Sequence, residues 1–270
     1  MSRHGVLVIS HGSRGTSWVL QVEETVRKAA ILFYEKYAQL KHLTREQAEE
    51  AVPIYSAYLE LVEGKLIQDG IHALQNKGVT HIHVMPLFVS YGSTHVEEIK
   101  QAFGFEPLDD FKGDLEKFDC QAKVYFDEPI AEDEEVIQIL MRQLAFINYS
   151  KEDEAVLLLG HGSSLPSYYA RWEKGMLAIA NKLAKQCGYG TVRYASLLPD
   201  RSRETLQELL GAYKRVWIIP LFISPGYFTH KAIPMRLKDL SFEYTGETLL
   251  PSEEMVNLLA RRFLMSDKYV

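Results

Sequence analysis

The chain has 270 residues, 47% of them hydrophobic, and a formal net charge of −6, which suits one large soluble domain or two of ordinary size. The negative charge argues against nonspecific nucleic-acid binding, which needs basic patches. No apolar run approaches the roughly 18–20 residues that span a bilayer, and the N-terminus lacks the pattern of a secretory signal, so we expect a cytoplasmic protein without membrane or nucleic-acid partners.

In the first half of the chain, strand-like apolar runs alternate with segments of helical periodicity. The predicted strands cover 5–10, 52–61, 80–90 and 120–130, and the predicted helices cover 16–41, 63–77, 93–103 and 131–147. We interpret the charged stretch 37–51 as a solvated lengthening of the first helix or of the loop that follows it. A βαβα series of this kind indicates a parallel sheet covered by helices.

The second half repeats this order. Its predicted strands cover 155–160, 191–198, 215–224 and 241–250, and its predicted helices cover 166–187, 201–213, 230–240 and 252–264. The sequence therefore predicts an α/β protein of two similar halves, each a parallel β-sheet flanked by helices. We place the halves at residues 1–150 and 151–270.

Local sequence matches support an internal repeat. "SHGSRG" at 10–15 and "GHGSSL" at 160–165 both follow a predicted first strand. "VMPLFVSYGSTHVEEI" (84–99) aligns with "IIPLFISPGYFTHKAI" (218–233), and His95 falls on His230 with one residue of slack. Each half thus carries one histidine after its first strand and one after its third.

Three residues of the first half are expected to converge at one edge of its sheet. His11 follows the first strand, Glu60 lies near the end of the second, and His95 lies just past the third. Open parallel sheets bind ligands outside the carboxyl ends of their strands. Two imidazoles and a carboxylate suit Fe²⁺, Co²⁺, Ni²⁺ or Zn²⁺ better than Mg²⁺ or Ca²⁺. We expect Gly12 and Gly92 to let a bulky ligand approach the backbone.

Other candidate motifs favour structural roles. His81 and His83 alternate on the third predicted strand, where a zinc pair is one alternative, but the start of that strand faces away from the expected site. Ser13 and Ser163 do not lie in a G-x-S-x-G motif. Cys120 and Cys187 form no CxxC motif and are expected to be ordinary thiols.

"VLVISHGSR" (6–14), "YLEL" (58–61) and "VMPLFVSYGSTHVEEI" (84–99), in that order, resemble the CbiX/SirB class II tetrapyrrole chelatases. The resemblance covers nearly the whole chain, as two chelatase-type halves. It implies a lyase-class sirohydrochlorin chelatase that inserts Co²⁺ or Fe²⁺ in cobalamin or siroheme biosynthesis. His11, Glu60 and His95 would then bind the metal and help remove pyrrole protons. The metal is a substrate, so no permanent cofactor is implied, and we expect a monomer.

The sequence departs from the family pattern at two places. Glu97 stands where family members carry an arginine, which puts one basic substrate contact in doubt. In the second half, alignment places Leu197 opposite Glu60, so we expect the first half to be active and the second to line the substrate cleft. The residues expected to contact substrate are Ser13, Arg14, Gly92, Ser93, Arg201 and Lys231, with Arg203 as a further candidate; a solvated face is an equal alternative for the three cations of the second half.

Two other functions remain open from the sequence. One is a tetrapyrrole or metal carrier that keeps the fold without catalysing insertion. The other is a chelatase that uses nickel or acts on another tetrapyrrole. Stoichiometric binding without accelerated insertion would distinguish the carrier from the enzyme.

Overall fold

A computed structural model of the chain describes residues 2–145, 150, 152–186 and 188–266. Cys187 and the predicted helix end at 146–147 lie outside these ranges, whereas Cys120 is a free thiol. Within the same ranges, no helix is both long enough and apolar enough to cross a membrane.

The first sheet contains four parallel strands in the order β2-β1-β3-β4. The strands are β1 (His4–Ser10), β2 (Ile54–Tyr58), β3 (His81–Pro86) and β4 (Lys123–Phe126). All seven residues of β1 are buried, as expected for a central parallel strand covered on both faces. The sheet therefore directs the carboxyl ends of β1, β2 and β3 to one edge.

Five helices accompany this sheet along the chain. They are α1 (Thr16–Lys41), α2 (Arg45–Ala51), α3 (Ile67–Asn76), α4 (Thr94–Ala102) and α5 (Glu134–Ala145). The charged stretch after α1 is not a simple extension, because His42 ends α1 in the left-handed conformation (φ 55°). Thr44 then starts α2 with a capping box that it shares with Gln47.

The second sheet repeats the topology as β6-β5-β7-β8, again with all strands parallel. Its strands are β5 (Glu154–Gly162), β6 (Thr191–Leu198), β7 (Arg215–Pro220) and β8 (Glu243–Tyr244). Its helices are α6 (Pro166–Gln186), α7 (Ser202–Ala212), α8 (Ile233–Leu237) and α9 (Glu253–Ser266), and a π-helix (Phe228–Ala232) precedes α8. The prediction of two similar α/β halves is confirmed.

Each sheet has its own apolar core. In the first, Leu7 and Ile9 of β1 pack with Ile71 of α3. In the second, Leu157 and Leu159 of β5 occupy the corresponding places. Full burial of a side chain of this size stabilises the fold by about 1.5–3 kcal/mol, so the strands that carry the histidines are firmly held.

The chain divides into two compact units that do not follow the boundary at residue 150. Unit 1 contains the residues up to Phe88, Thr94–Ile130 and the segment from Met255 on, and unit 2 contains Val89–Ser93 and Ala131–Glu254. In unit 1, the Phe33 ring of α1 packs edge-on against Phe263 of α9, with ring centroids 6.1 Å apart. In unit 2, Gln143 of α5 donates to the carbonyl of Thr248. The last helix of each half thus belongs to the other unit.

Candidate functional site

His11 follows the last residue of β1 and is held beside Glu60 by the backbone. Pairing continues past β2, because the Leu59 N–H donates to the Ser10 carbonyl and the Glu60 N–H donates to the His11 carbonyl, at 2.9 and 3.1 Å. The His11 Nδ1 lies 3.7 Å from Glu60 Oε1, and both side chains are about half exposed. The predicted proximity of these two residues is therefore observed.

Gly12 makes this approach possible. Its φ is +97°, and a Cβ placed on it would lie 1.9 Å from the carbonyl oxygen of Glu60. Any other residue would be strained by the left-handed backbone and would collide with the neighbouring strand end. The requirement for glycine at position 12 is thus explained by the neighbouring strand end, and close approach of a ligand to Gly12 stays a prediction.

His95 is the second residue of α4, and its ring lies against that of His11. The two imidazole centroids are 4.8 Å apart at an interplanar angle of 80°. His95 Nδ1 lies 3.1 Å from Glu98 Oε2, one helical turn further along α4. The structure therefore brings together His11, Glu60 and His95, and it adds Glu98.

These side chains lie close together but do not form a closed metal-coordination site. Among the residues described, no group of three or more His, Cys, Asp or Glu side chains stands in an arrangement that could hold a metal ion. His11, His95 and Glu60 keep 40%, 44% and 52% of their side-chain surface exposed. The arrangement is an open set of nitrogen and oxygen donors that solvent and solutes can reach.

Gly92 does not line this set of side chains. It is buried against α6, where an added Cβ would lie 2.2 Å from the carbonyl oxygen of Tyr168 and 2.7 Å from Trp172. The need for glycine at this position is explained by helix packing within unit 2, and contact of Gly92 with substrate stays a prediction. Ser93 is half-buried at the end of the same turn, and its N–H donates to the carbonyl of Ser90.

The remaining predicted contact residues lie near the surface. The Ser13 hydroxyl accepts from the Gly15 N–H at 3.0 Å, and Arg14 beside it is exposed. In the second half, Arg201, Arg203 and Lys231 are also exposed. Arg201 lies 3.8 Å from the Glu204 carboxylate, and Arg203 donates to the carbonyl of Arg236.

Glu97 has a structural role. Its side chain is 3% exposed, and its Oε1 accepts from the N–H of Leu108 at 3.1 Å. The carboxylate thereby fastens the segment after α4 to that helix. Glu97 is turned away from solvent, whereas Glu98, the next residue, contacts His95.

The second half keeps the backbone of the site but changes its chemistry. His161 Nδ1 lies 3.1 Å from the Gly162 carbonyl, as His11 Nδ1 lies 3.2 Å from that of Gly12. A Cβ on Gly162, whose φ is +82°, would lie 2.0 Å from the carbonyl oxygen of Leu198. Leu198 is therefore the counterpart of Glu60, and the sequence alignment that chose Leu197 was one residue out of register. The conclusion that the carboxylate is lost still holds.

The second imidazole is lost as well. The ring beside His161 is that of Phe228, with centroids 5.0 Å apart at 86°. His230, which sequence alignment matched with His95, is an exposed residue of the π-helix. A π-helix contains an extra residue per turn, so spacing counted from Pro220 does not transfer from the first half. The second half thus has one imidazole where the first has two imidazoles and a carboxylate.

The other strand histidines form a separate stack. His4 and His83 are buried and hydrogen-bonded, with His4 Nδ1 2.9 Å from His83 Nε2. The His83 ring stacks on Tyr125, and the His4 ring stacks on His81. Burial first, and then the charges of His4 and His81, lower the pKa of His83 to about 4. Stacked buried rings of this kind fit the structural interpretation.

The loop that follows Glu60 contains residues that sequence reasoning missed. The N–H of Tyr58 donates to the carbonyl of Lys65, which closes residues 59–65 into a compact loop. Lys65 forms an ion pair with Glu23 of α1, and the Tyr58 hydroxyl donates to the same carboxylate at 3.5 Å. Burial and the Glu23 charge raise the pKa of Tyr58. No local motif signals these contacts, because Glu23 and Lys65 are 42 residues apart.

Comparison with known proteins identifies the family. A family model described as CbiX matches residues 5–146 and 155–265. A sirohydrochlorin ferrochelatase from Priestia megaterium is 27% identical over 246 residues, which cover 87% of this chain and 79% of that protein. The structure of SirB from Bacillus subtilis with Fe³⁺ matches with a TM-score of 0.69 at 22% identity, over 97% of this chain and 94% of the other.

A second solved structure agrees. CbiX, described as the terminal enzyme for biosynthesis of siroheme in denitrifying bacteria, matches with a TM-score of 0.62 at 13% identity, over 97% of this chain and 98% of that one. At these identities the two structures establish the shared fold, and the family model spans both halves of the repeat. The chain belongs to the CbiX family.

Proposed function

We propose that this protein is a sirohydrochlorin metal chelatase of the lyase class. It inserts a divalent metal ion into the macrocycle, and the metal is a substrate and not a resident cofactor. The observation that carries the proposal is the gathering of His11, His95 and Glu60 at the carboxyl edge of the first sheet. The name of the Priestia megaterium relative supports sirohydrochlorin as the macrocycle.

Exposed donor side chains suit a metal ion that must be passed on to the macrocycle. A chelatase has to strip water from the ion, hold it briefly and release it to the four nitrogens of the ring. A closed cage would retain the ion, whereas half-exposed imidazoles and a rotatable carboxylate can release it. Rotation of the Glu60 side chain would bring its carboxylate to an ion held by the two histidines.

Insertion also releases two protons from pyrrole nitrogens. An imidazole nitrogen can hold either a metal or a proton, but not both at once. We therefore assign the metal to the nitrogens of His11 and His95, whereas the Glu60 carboxylate, once it has released the ion, accepts the first proton. Glu60 passes this proton to solvent, to which its side chain is 52% exposed, and then accepts the second in the same way.

We propose that the half at 1–150 is the catalytic copy and that the half at 151–270 is not. Leu198 and Phe228 replace the carboxylate and the second imidazole there, so of the three equivalent positions His161 alone keeps a side chain that could bind a metal. Sirohydrochlorin carries several carboxylates, and we assign their recognition to Ser13, Arg14 and Ser93 and to the exposed Arg201, Arg203 and Lys231.

Fe²⁺ and Co²⁺ both fit this donor set, which suits first-row ions generally. The first would place the protein in siroheme synthesis and the second in cobalamin synthesis. The ferrochelatase name of the relative favours Fe²⁺. Initial rates measured with Fe²⁺, Co²⁺ and Ni²⁺ under anaerobic conditions decide among them.

Absorbance spectroscopy of the macrocycle tests the proposal. The wild-type protein should insert the metal at catalytic ratios and far faster than the metal reacts alone. His11→Ala and His95→Ala should each abolish the acceleration, whereas His161→Ala, the matched change in the second half, should keep most of it. Stoichiometric binding without turnover would instead identify a carrier, and equal loss in all three variants would refute a single active half.

A further inference from the structure

In both site histidines, the hydrogen-bond partner of Nδ1 determines which ring nitrogen carries the proton. The Nδ1 atom of each faces an oxygen that has no proton to give. For His11 it is the backbone carbonyl of Gly12 at 3.2 Å, and for His95 it is the Glu98 carboxylate at 3.1 Å. Since both oxygens can only accept, each Nδ1 must carry the proton. Both neutral rings are then fixed with an unprotonated Nε2.

Glu98 is held in place more firmly than a surface carboxylate. Its side chain is 18% exposed, compared with 44% for His95. It lies three residues after His95 on α4, the spacing that puts two side chains on one helix face. On its other side lies Gly113, where an added Cβ would come within 2.8 Å of Glu98 Cγ. The segment after α4 therefore packs directly against Glu98.

That segment is itself fastened to α4. Gln101 bridges it, because its side-chain amide donates to the Phe111 carbonyl and accepts from the Gly113 N–H at 3.0 and 3.1 Å. Glu97 adds its bond to Leu108. The backbone behind Glu98 is thus fixed by three side-chain hydrogen bonds, which limit the positions that the carboxylate can take.

We propose that Glu98 is the positioning residue of His95, fixing the Nδ1–H tautomer so that Nε2 stays available to a divalent metal. The importance of this for metal delivery rests on the function proposed above, whereas the tautomer itself does not. A carboxylate behind a metal-binding imidazole fixes the ring and its tautomer, and its loss typically weakens metal binding by about 10–100-fold.

The second half supplies an internal reference. His161 has the same contact to a glycine carbonyl as His11, so it should also be the Nδ1–H tautomer. Its neighbouring ring is Phe228, so no counterpart of the His95–Glu98 pair lies beside it. A change at Glu98 should therefore leave the His161 signal where it was.

Long-range ¹H–¹⁵N correlation spectra of the metal-free protein test the tautomer directly. At pH about 8.5 an ordinary imidazole is neutral, and the protonated and unprotonated ring nitrogens resonate in separate regions. Wild-type His95 should show a protonated Nδ1 and an unprotonated Nε2. A wild-type His95 found as the Nε2–H tautomer, which dominates for histidine free in water, overturns the proposal without any variant.

The Glu98→Gln variant provides a second test of the positioning role. Glutamine can accept from Nδ1–H or donate to a bare Nδ1, so His95 should become a mixture of tautomers while His161 stays unchanged. Glu97→Gln is the matched control on the same turn; because the glutamine oxygen can still accept from the Leu108 N–H, this change should leave His95 as in the wild type. A His95 spectrum unmoved by Glu98→Gln, or moved equally by Glu97→Gln, refutes the positioning role.

A Co²⁺ titration followed by d–d absorbance links the tautomer to metal binding. Glu98→Gln should weaken Co²⁺ binding by about 10–100-fold relative to Glu97→Gln. Unchanged Co²⁺ affinity overturns the positioning role. Should the wild-type protein bind Co²⁺ but fail to accelerate insertion into sirohydrochlorin, the proposed function fails while the positioning role stands.

Discussion

Lys65, at the end of the loop that begins just before Glu60, forms an ion pair with Glu23 of α1. The Tyr58 hydroxyl reaches the same carboxylate, so one side chain of α1 holds both ends of the loop. In the function proposed above, Glu60 binds a metal ion or accepts a proton, which requires a fixed backbone and a mobile carboxylate. Glu23 holds the backbone, and the exposed Glu60 side chain carries the carboxylate.

Glu23→Gln should therefore loosen the loop. We expect a loss of several-fold in kcat/KM for metal insertion and a loss of about 1 kcal/mol or less in the free energy of unfolding, since partly exposed ion pairs contribute little. Insertion kinetics and urea unfolding measure the two effects. Glu24→Gln is the matched control, because Glu24 pairs with Arg27 on the exposed face of α1. Equal kinetic effects of the two changes would contradict a role for Glu23.

Gly12→Ala and Gly162→Ala form a second matched pair. Each adds a Cβ about 2 Å from the carbonyl oxygen of the neighbouring strand end, at a left-handed glycine. Both should destabilise their unit, by about 1–3 kcal/mol or more from backbone strain. Only Gly12→Ala should abolish metal insertion, because it displaces Glu60 from His11. Comparable activities of the two variants at a temperature where both are folded would count against the first half as the catalytic copy.

The second half offers a test in which the missing metal-binding side chains are introduced by mutation. Leu198→Glu together with Phe228→His should restore the missing carboxylate and imidazole beside His161. Leu198 is 42% exposed, so its replacement by glutamate should be tolerated. On a His11→Ala background, we expect the double variant to bind one equivalent of Co²⁺, detected by its d–d absorbance. Leu197→Glu in place of Leu198→Glu is the control and should unfold the half, since Leu197 is buried in its core.

The buried His83 predicts a loss of stability in acid. Its folded-state pKa is about 4, whereas the unfolded value is about 6.5, so the native state keeps the ring neutral. The stabilisation is complete above pH about 6.5 and is lost as pH falls toward 4, by at most about 3 kcal/mol. Urea unfolding of wild type and His83→Gln should give stability differences that shrink across this window.

His72→Gln serves as the control for that experiment. His72 is exposed on α3 and bonds a side chain of the same helix, Gln68, at 2.9 Å. The pH dependence of the stability difference between wild type and His72→Gln is the reference against which that of His83→Gln is compared. A constant difference between wild type and His83→Gln from pH 7 to 4 would show that His83 is not the titrating group.

The sequence predicted the features that local periodicity controls. Helix α1 begins and ends at the predicted residues, and His11, Glu60 and His95 meet because parallel strands end at one edge. The contact of Glu98 with His95 could have been predicted from the same periodicity, since Glu98 lies three residues after that histidine on a predicted helix. The strands β2, β3, β4, β7 and β8 came out shorter than predicted, because apolar residues continue past the last paired position, whereas β6 has its predicted bounds and β1 and β5 are slightly longer.

The features that depend on distant backbone were not predictable. Leu197 and Leu198 are identical in type, and only the pairing of β6 with β5 shows which of them corresponds to Glu60. Phe228 was missed because the π-helix changes the residue count. Gly92 needs to be glycine because of α6, about 80 residues away along the chain, and composition gives no sign of that neighbour.

The place of α9 has a consequence for how the protein is made. Its Phe263 packs on Phe33, and its Arg262 donates to the carbonyls of Glu128 and Pro129. The unit that holds both site histidines therefore starts near the N-terminus and is closed by a helix synthesised more than 120 residues after Pro129. During synthesis on the ribosome, this unit cannot complete its folding until the whole of the second half, with α9, has been translated. Mutations that slow translation or folding of the second half should thus delay assembly of the proposed metal site in the first.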